Sequence, residues 1–171
     1  MQNWLKNGDY LINKCEQVDL KSKRMEQQQD FTTTIVVDQS PEEIFKAINN
    51  PKGWWQGEIY GDTAEVNDEF TYRMGDVHFS KQRVIESFPG KKVVWLVTES
   101  EINFVSDKKE WVDTTIVFDI IPEGTKTRLT FTHQGLVPAV ECFDGCSVAW
   151  QGLIEKSLSS YILTGKGVAI F

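Results

Sequence analysis

The chain has 171 residues, 40% of them hydrophobic, and a formal net charge of -7 from 25 acidic and 18 basic side chains. The length suits one domain with a sizeable core, the composition argues against wholesale disorder, and the acidic balance would repel a polyphosphate, so no nucleic-acid partner is expected. No window approaches the roughly 20 apolar residues that a bilayer crossing requires, so no membrane partner is expected either.

Residues 1–30 differ from the remainder. Trp4, Leu5, Tyr10, Leu11 and Ile12 give way to a polar stretch ending in MEQQQD, and periodicity is poor. An N-terminal extension, disordered or loosely packed, is expected there, ahead of a domain over residues 31–171. Phe31 to Asp38 then alternates as a strand does. Ser40, Pro41 and Glu43 supply an N-cap, a first-turn proline and a capping-box acid for a helix that Asn49-Asn50-Pro51 ends. An irregular piece through Gly53-Trp54-Trp55 follows.

From about Glu58 to Gln134 the chain reads as antiparallel hairpins: Glu69 to Met74, Val77 to Phe88, Val93 to Ser100, Trp111 to Ile121 and Thr127 to Gln134, separated by Gly and Pro turns. The last helix is expected from Asp144 to Thr164, with Trp150, Ile154, Leu158 and Tyr161 on one face and Gly165 as its C-terminal cap. Cys15, Cys142 and Cys146 form no disulfide-like framework, and no secretory apolar run opens the chain, which predicts a reduced, cytoplasmic setting.

The pieces that come in this order are SPEEIFKAI (Ser40 to Ile48), Gly53-Trp54-Trp55, FTYRM (Phe70 to Met74), TFTHQGLVP (Thr130 to Pro138) and AWQGLIEKSLSSYILTGKG (Ala149 to Gly167). Over about residues 31 to 167 the chain resembles the SRPBCC (START-like) superfamily, and more narrowly the group named after the activator of Hsp90 ATPase homologue. The resemblance implies an α+β helix-grip fold, a curved seven-stranded antiparallel sheet wrapped around a long C-terminal helix with a cavity between them. It also implies members that bind or transform hydrophobic small molecules. The chaperone link in the group's name comes from eukaryotic proteins with additional domains, for which this chain has no room.

Strand parity places His133 on the face of Leu129 and Phe131, which makes it the one candidate for moving a proton and, with Tyr72, a candidate for orienting a polar ligand group. Trp54, Trp55 and Tyr60 precede the sheet where a lid would sit, with at most one of the adjacent tryptophans expected to enter the pocket. Phe70, Tyr72, Phe79, Phe118, Phe131, Trp150 and Ile154 are expected to face the hollow. His78 is expected at the surface beside Lys81 and Arg83. Cys142 and Cys146 share a helix face, but the further ligands of a metal site have no recognisable spacing, so neither metal nor cofactor is expected. The expected function is binding of a hydrophobic or aromatic small molecule, with a homodimer admitted. The alternatives are a cofactor-independent cyclase or dehydratase using the same cavity, and an Hsp90-type chaperone-associated module.

Overall fold

A computed structural model describes residues 28–170. The N-terminal extension expected over residues 1–30 lies almost wholly outside the described residues. Seven strands form one antiparallel sheet: β1 (Phe31–Val37), β2 (Glu58–Gly61), β3 (Glu69–Met74), β4 (His78–Phe88), β5 (Lys92–Ile102), β6 (Thr115–Glu123) and β7 (Lys126–Gln134). Their order is β1-β7-β6-β5-β4-β3-β2, so β1 skips to the far side and pairs with β7, Phe31 opposite His133 and Val37 opposite Thr127. The return to β2 uses helix α1 (Pro41–Ile48) and a 3-10 turn at Pro51–Gly53.

Helix α1 begins where its cap residues dictate. Ser40 Oγ accepts from the Glu43 amide, and the Glu43 carboxylate accepts from the Ser40 amide at 2.8 Å and the Ser40 hydroxyl at 2.7 Å, two bonds that hold its pKa below the ordinary range. The helix buries Ile44, Ala47 and Ile48.

The C-terminal rod is α2 (Phe143–Gly152), a π-helical stretch (Leu153–Leu158) and α3 (Ser159–Thr164), closed by Gly165 at φ 75°. It lies in the grip of the sheet, burying Cys146, Trp150, Leu153, Ile154, Ser157 and Leu158. The helix-grip architecture is as expected. The uniform α-helix is not: a wide turn interrupts it one residue past Gly152.

The strand expected from Trp111 also starts later. Asp113 has φ 66°, a left-handed conformation that a strand cannot contain, and Thr114 Oγ1 donates back to the Trp111 carbonyl at 2.6 Å. Residues 103–114 therefore form a loop, and β6 begins at Thr115. Two bonds clamp that loop to the start of the rod: the Glu110 carboxylate accepts the amides of Glu141 at 2.6 Å and Cys142 at 2.8 Å.

The centre of the grip is filled. Trp95 stands edge-on to Phe70 and Phe118, with ring centroids at 5.0 and 4.8 Å, and Trp150 leans on Phe131 at 4.6 Å. Such pairs contribute roughly 0.5–1.5 kcal/mol each beyond the area they bury.

Candidate functional site

The space that the core leaves lies toward one end of the sheet. A cavity of about 310 Å³ opens between the β3–β4 hairpin, the loop after β5 and α2. Tyr72 and Met74 come from β3 and His78 from β4; Trp55 comes from the segment before β2, and Trp111 from the loop. The helical wall is Gly145, Cys146, Ala149, Trp150 and Leu153. Val77 and Phe104, about half exposed, mark the mouth.

The walls are flat rings in contact. Trp55 stacks on Tyr72 with centroids 4.4 Å apart, and Trp111 lies nearly parallel to Trp150 at 5.9 Å. The Trp111 indole N–H donates to Cys142 Sγ at 3.3 Å, which ties the loop wall to the base of α2. Burial pushes the Tyr72 phenol up to about 12, against a smaller opposing pull from Trp55, so the group is an uncharged hydroxyl at neutral pH.

His133 stands behind this wall and does not line the cavity. It is fully buried, and both ring nitrogens are engaged. The Trp150 indole N–H can only donate, and it meets Nδ1 at 3.0 Å, so the ring proton sits on Nε2 and points at Thr114 Oγ1 at 2.8 Å. The Thr114 hydroxyl in turn donates to the Trp111 carbonyl. Burial, reinforced by His78, holds the His133 pKa down at about 3. A neutral ring with both nitrogens occupied positions Trp150 and the Trp111 loop; it has no free nitrogen for a ligand or a proton transfer.

Of the other expected residues, Trp55, Tyr72 and Trp150 line the cavity. Trp54 turns away, its N–H donating to the Ala47 carbonyl at 3.1 Å, so one of the adjacent pair enters. Phe70, Phe118, Phe131 and Ile154 are fully buried in the filled centre and are core residues. Tyr60 is 65% exposed, because Ile59 is the inward residue of β2. Phe79 faces outward, under the Arg73 guanidinium at 4.8 Å from its ring centroid.

The outward Phe79 and the inward His78, both opposite to expectation, follow from one strand parity. Tyr72 pairs with Ser80 and Met74 with His78, so the inward residues of β4 are His78, Ser80, Gln82 and Val84. Lys81 and Arg83 share the parity of Phe79, and burying two cations costs far more than exposing one ring. Those charges lie in the sequence and could have fixed the parity. Trp111 had no such signal, since its loop has no period.

His78 ends with its ring edge-on to Tyr72 at 5.4 Å and to Trp111 at 4.4 Å. Burial lowers its pKa to about 4. Its Nε2 is shut off from solvent and has no hydrogen-bond partner among the described residues. Cys142 and Cys146 are free and buried; hydrogen bonding to Cys146, then burial, drives the Cys142 thiol pKa upward, so it is a neutral thiol. Among the described residues no cluster has the makings of a metal site, and no helix is long and apolar enough to cross a membrane.

The model of the family described as "Activator of Hsp90 ATPase homolog 1-like protein" matches residues 38–162. The chain belongs to this family. The solution structure of the Aha1 dimer from Colwellia psychrerythraea superposes with a TM-score of 0.66 at 23% identity, covering 81% of this chain and 99% of that one. Protein MLL2253 from Mesorhizobium loti gives 0.61 at 16%, with 80% and 99% covered. DynU16, encoded in the dynemicin biosynthetic locus, gives 0.58 at 15%, with 81% and 48% covered. No curated protein sequence matches the chain significantly. At these identities the structural likenesses establish the fold. All the cavity residues, from Trp55 to Leu153, fall inside the span matched by the Hsp90-activator-homologue family.

Proposed function

We propose that this chain binds an apolar small molecule in the cavity between the β3–β4 hairpin and α2. The observation that carries the reading is the cavity itself: about 310 Å³, in the range of small-ligand sites, walled by Trp55, Tyr72, Trp111 and Trp150. Aromatic walls in a preformed hollow favour flat apolar guests through area burial and offset stacking. The reading places the protein in a reducing compartment such as the cytoplasm, in keeping with its free, buried Cys142 and Cys146. Proton transfer by His133 loses support, because its nitrogens are committed to Trp150 and Thr114. The family's name is the sole ground for an Hsp90-type partner. A homodimer rests on the Colwellia protein, which is a dimer.

Native mass spectrometry of the chain purified from its own host should show a retained apolar mass. Titration with apolar probes should change tryptophan fluorescence saturably. Ala149→Phe, which projects a ring from the helical wall into the space, should weaken probe binding about tenfold or more while the chain stays folded. A chain that retains nothing and shows no saturable response to any apolar probe would sink the reading.

A further inference from the structure

We propose that residues 1–27 dock back onto this same chain, seating Tyr10, Leu11 and Ile12 on the exposed apolar rim of the cavity mouth formed by Val77, Phe104 and Val148. The basic cluster Lys21, Lys23 and Arg24 then lies over the carboxylates between that rim and the start of β1. The inference goes beyond the reading of the cavity as a binding site and stands whether or not a guest is held there.

The rim draws on three parts of the fold. Val77 is 50% exposed, Phe104 52% and Val148 70%. The Asn103 amide donates to the Val77 carbonyl, the Phe104 ring comes within 3.7 Å of where a Cβ on Gly145 would stand, and Val148 follows Gly145 by one helical turn. Apolar side chains gathered from three elements and left in water mark a surface that something covers.

The chain enters the described structure close by. Asp30 Oδ1 accepts from the Gly135 amide at 2.8 Å and the Phe31 amide donates to the Leu136 carbonyl at 2.8 Å, which pins the entry against the segment leading into α2. Strand register puts the start of β1 at the same end of the sheet as the end of β7 and the starts of β6 and β4. Four strand spacings separate β1 from β4, about 20 Å. Ile12 precedes Gln28 by 16 residues, enough chain to reach about 50 Å when extended.

Charge decides between this segment and a second copy. Residues 1–27 carry five basic and four acidic side chains, which leaves 13 basic against 21 acidic on residues 28–171. The ground beside the entry is acidic: Asp107, Glu110 and Asp113 in the loop after β5, with Glu141 and Asp144 where α2 begins, against Lys108 and Lys109. The two stretches are joined by the Glu110 and Glu141 carboxylates, and none of the five acids is in an ion pair among the described residues. A second copy would bring the same acidic ground against itself, whereas Lys21, Lys23 and Arg24 complement it. Tethering adds a local concentration on the order of millimolar, which a free partner lacks.

Cys15 follows Ile12 by three residues and can take a nitroxide label, because Cys142 and Cys146 are buried. In the full isotope-enriched chain carrying that label, the amide signals of Val77, Phe104 and Val148 should be broadened away and return when the nitroxide is reduced. Phe88, at the other end of β4, should keep its signal. Rising salt should weaken the broadening. Phe104→Ser, which removes the largest apolar group of the rim, should restore the Val77 and Val148 signals. Lys21→Glu, Lys23→Glu and Arg24→Glu together should restore all three; this variant leaves residues 28–171 unchanged and decides the matter even if Phe104→Ser does not fold. An unbroadened rim, or equal broadening at Phe88, would overturn the docking. Broadening that survives both variants would do the same, since it would report tethered proximity alone. Undiminished broadening in a mixture of labelled natural-abundance chain and unlabelled enriched chain would hand the rim to a second copy and overturn the intramolecular assignment.

Discussion

Trp150, His133, Thr114 and the Trp111 carbonyl form a chain of hydrogen bonds in which each donor has one acceptor, and its members come from three separate parts of the fold. The helix, β7 and the β5–β6 loop are thereby joined through one imidazole. His133→Ala removes an acceptor from the buried Trp150 N–H and leaves a void beside Trp111 and Trp150. We expect a loss of about 2–4 kcal/mol in urea unfolding, with a changed near-ultraviolet circular dichroism from the displaced indoles. A variant of unchanged stability and spectrum would show that these bonds hold nothing. Residue by residue, the sequence was most readable where parity was anchored by apolar neighbours, as for His133 beside Leu129 and Phe131. It was least readable on β4, where the inward residues are polar. Proximity to Lys81 and Arg83 suggests the surface for His78, but its parity on the strand is opposite to theirs.

Leu153–Leu158 contains neither Gly nor Pro, and the spacing of Trp150, Ile154 and Leu158 is that of an ordinary helix, so nothing in the pattern announces a widened turn. What occupies the widened turn is Ser157. Its hydroxyl donates to the Trp54 carbonyl at 2.6 Å and accepts from the Val168 amide at 3.2 Å, so the rod, the segment carrying Trp55 and the C-terminal tail meet at one oxygen. Gly167 lies against the same point: a Cβ there would sit 2.5 Å from the Gly53 carbonyl and 2.8 Å from Ser157 Oγ. Gly167→Ala should therefore destabilise the chain by about 1–2 kcal/mol and release the tail, seen as faster hydrogen exchange at the Val168 amide. Unchanged protection of that amide would contradict the assignment. The regular elements were legible because capping, turn residues and alternation act locally. The residue 103–114 loop was not, because the left-handed Asp113 and the clamp through Glu110 depend on partners far along the chain.

For the molecule as a whole, the sheet closes only when β7 is made, since β1 waits for a partner about a hundred residues later. That arrangement could be anticipated from the order of the pieces; the location of the unfilled space could not, because it depends on how completely Trp95, Phe118 and Phe131 occupy the centre. Global stability should carry the mark of both histidines. Their folded pKa values, about 4 for His78 and about 3 for His133, lie below the ordinary 6.5, so the unfolded chain takes up protons first as pH falls. Stability should be flat above about pH 7 and fall below about 6.5 by roughly 1–1.5 kcal/mol per pH unit for each histidine, until each folded pKa is passed. Urea midpoints taken at about pH 7.5, 6 and 5 measure this, and identical midpoints would refute it. The mouth has a different bearing. Asn103 joins the two loops that frame it, its amide donating to the Val77 carbonyl at 2.9 Å and its side chain to the Asp76 carbonyl at 2.6 Å. Widening the mouth therefore means parting these two bonds, so the entry rate of the proposed guest should follow the opening of the two turns and not the packing of the rod.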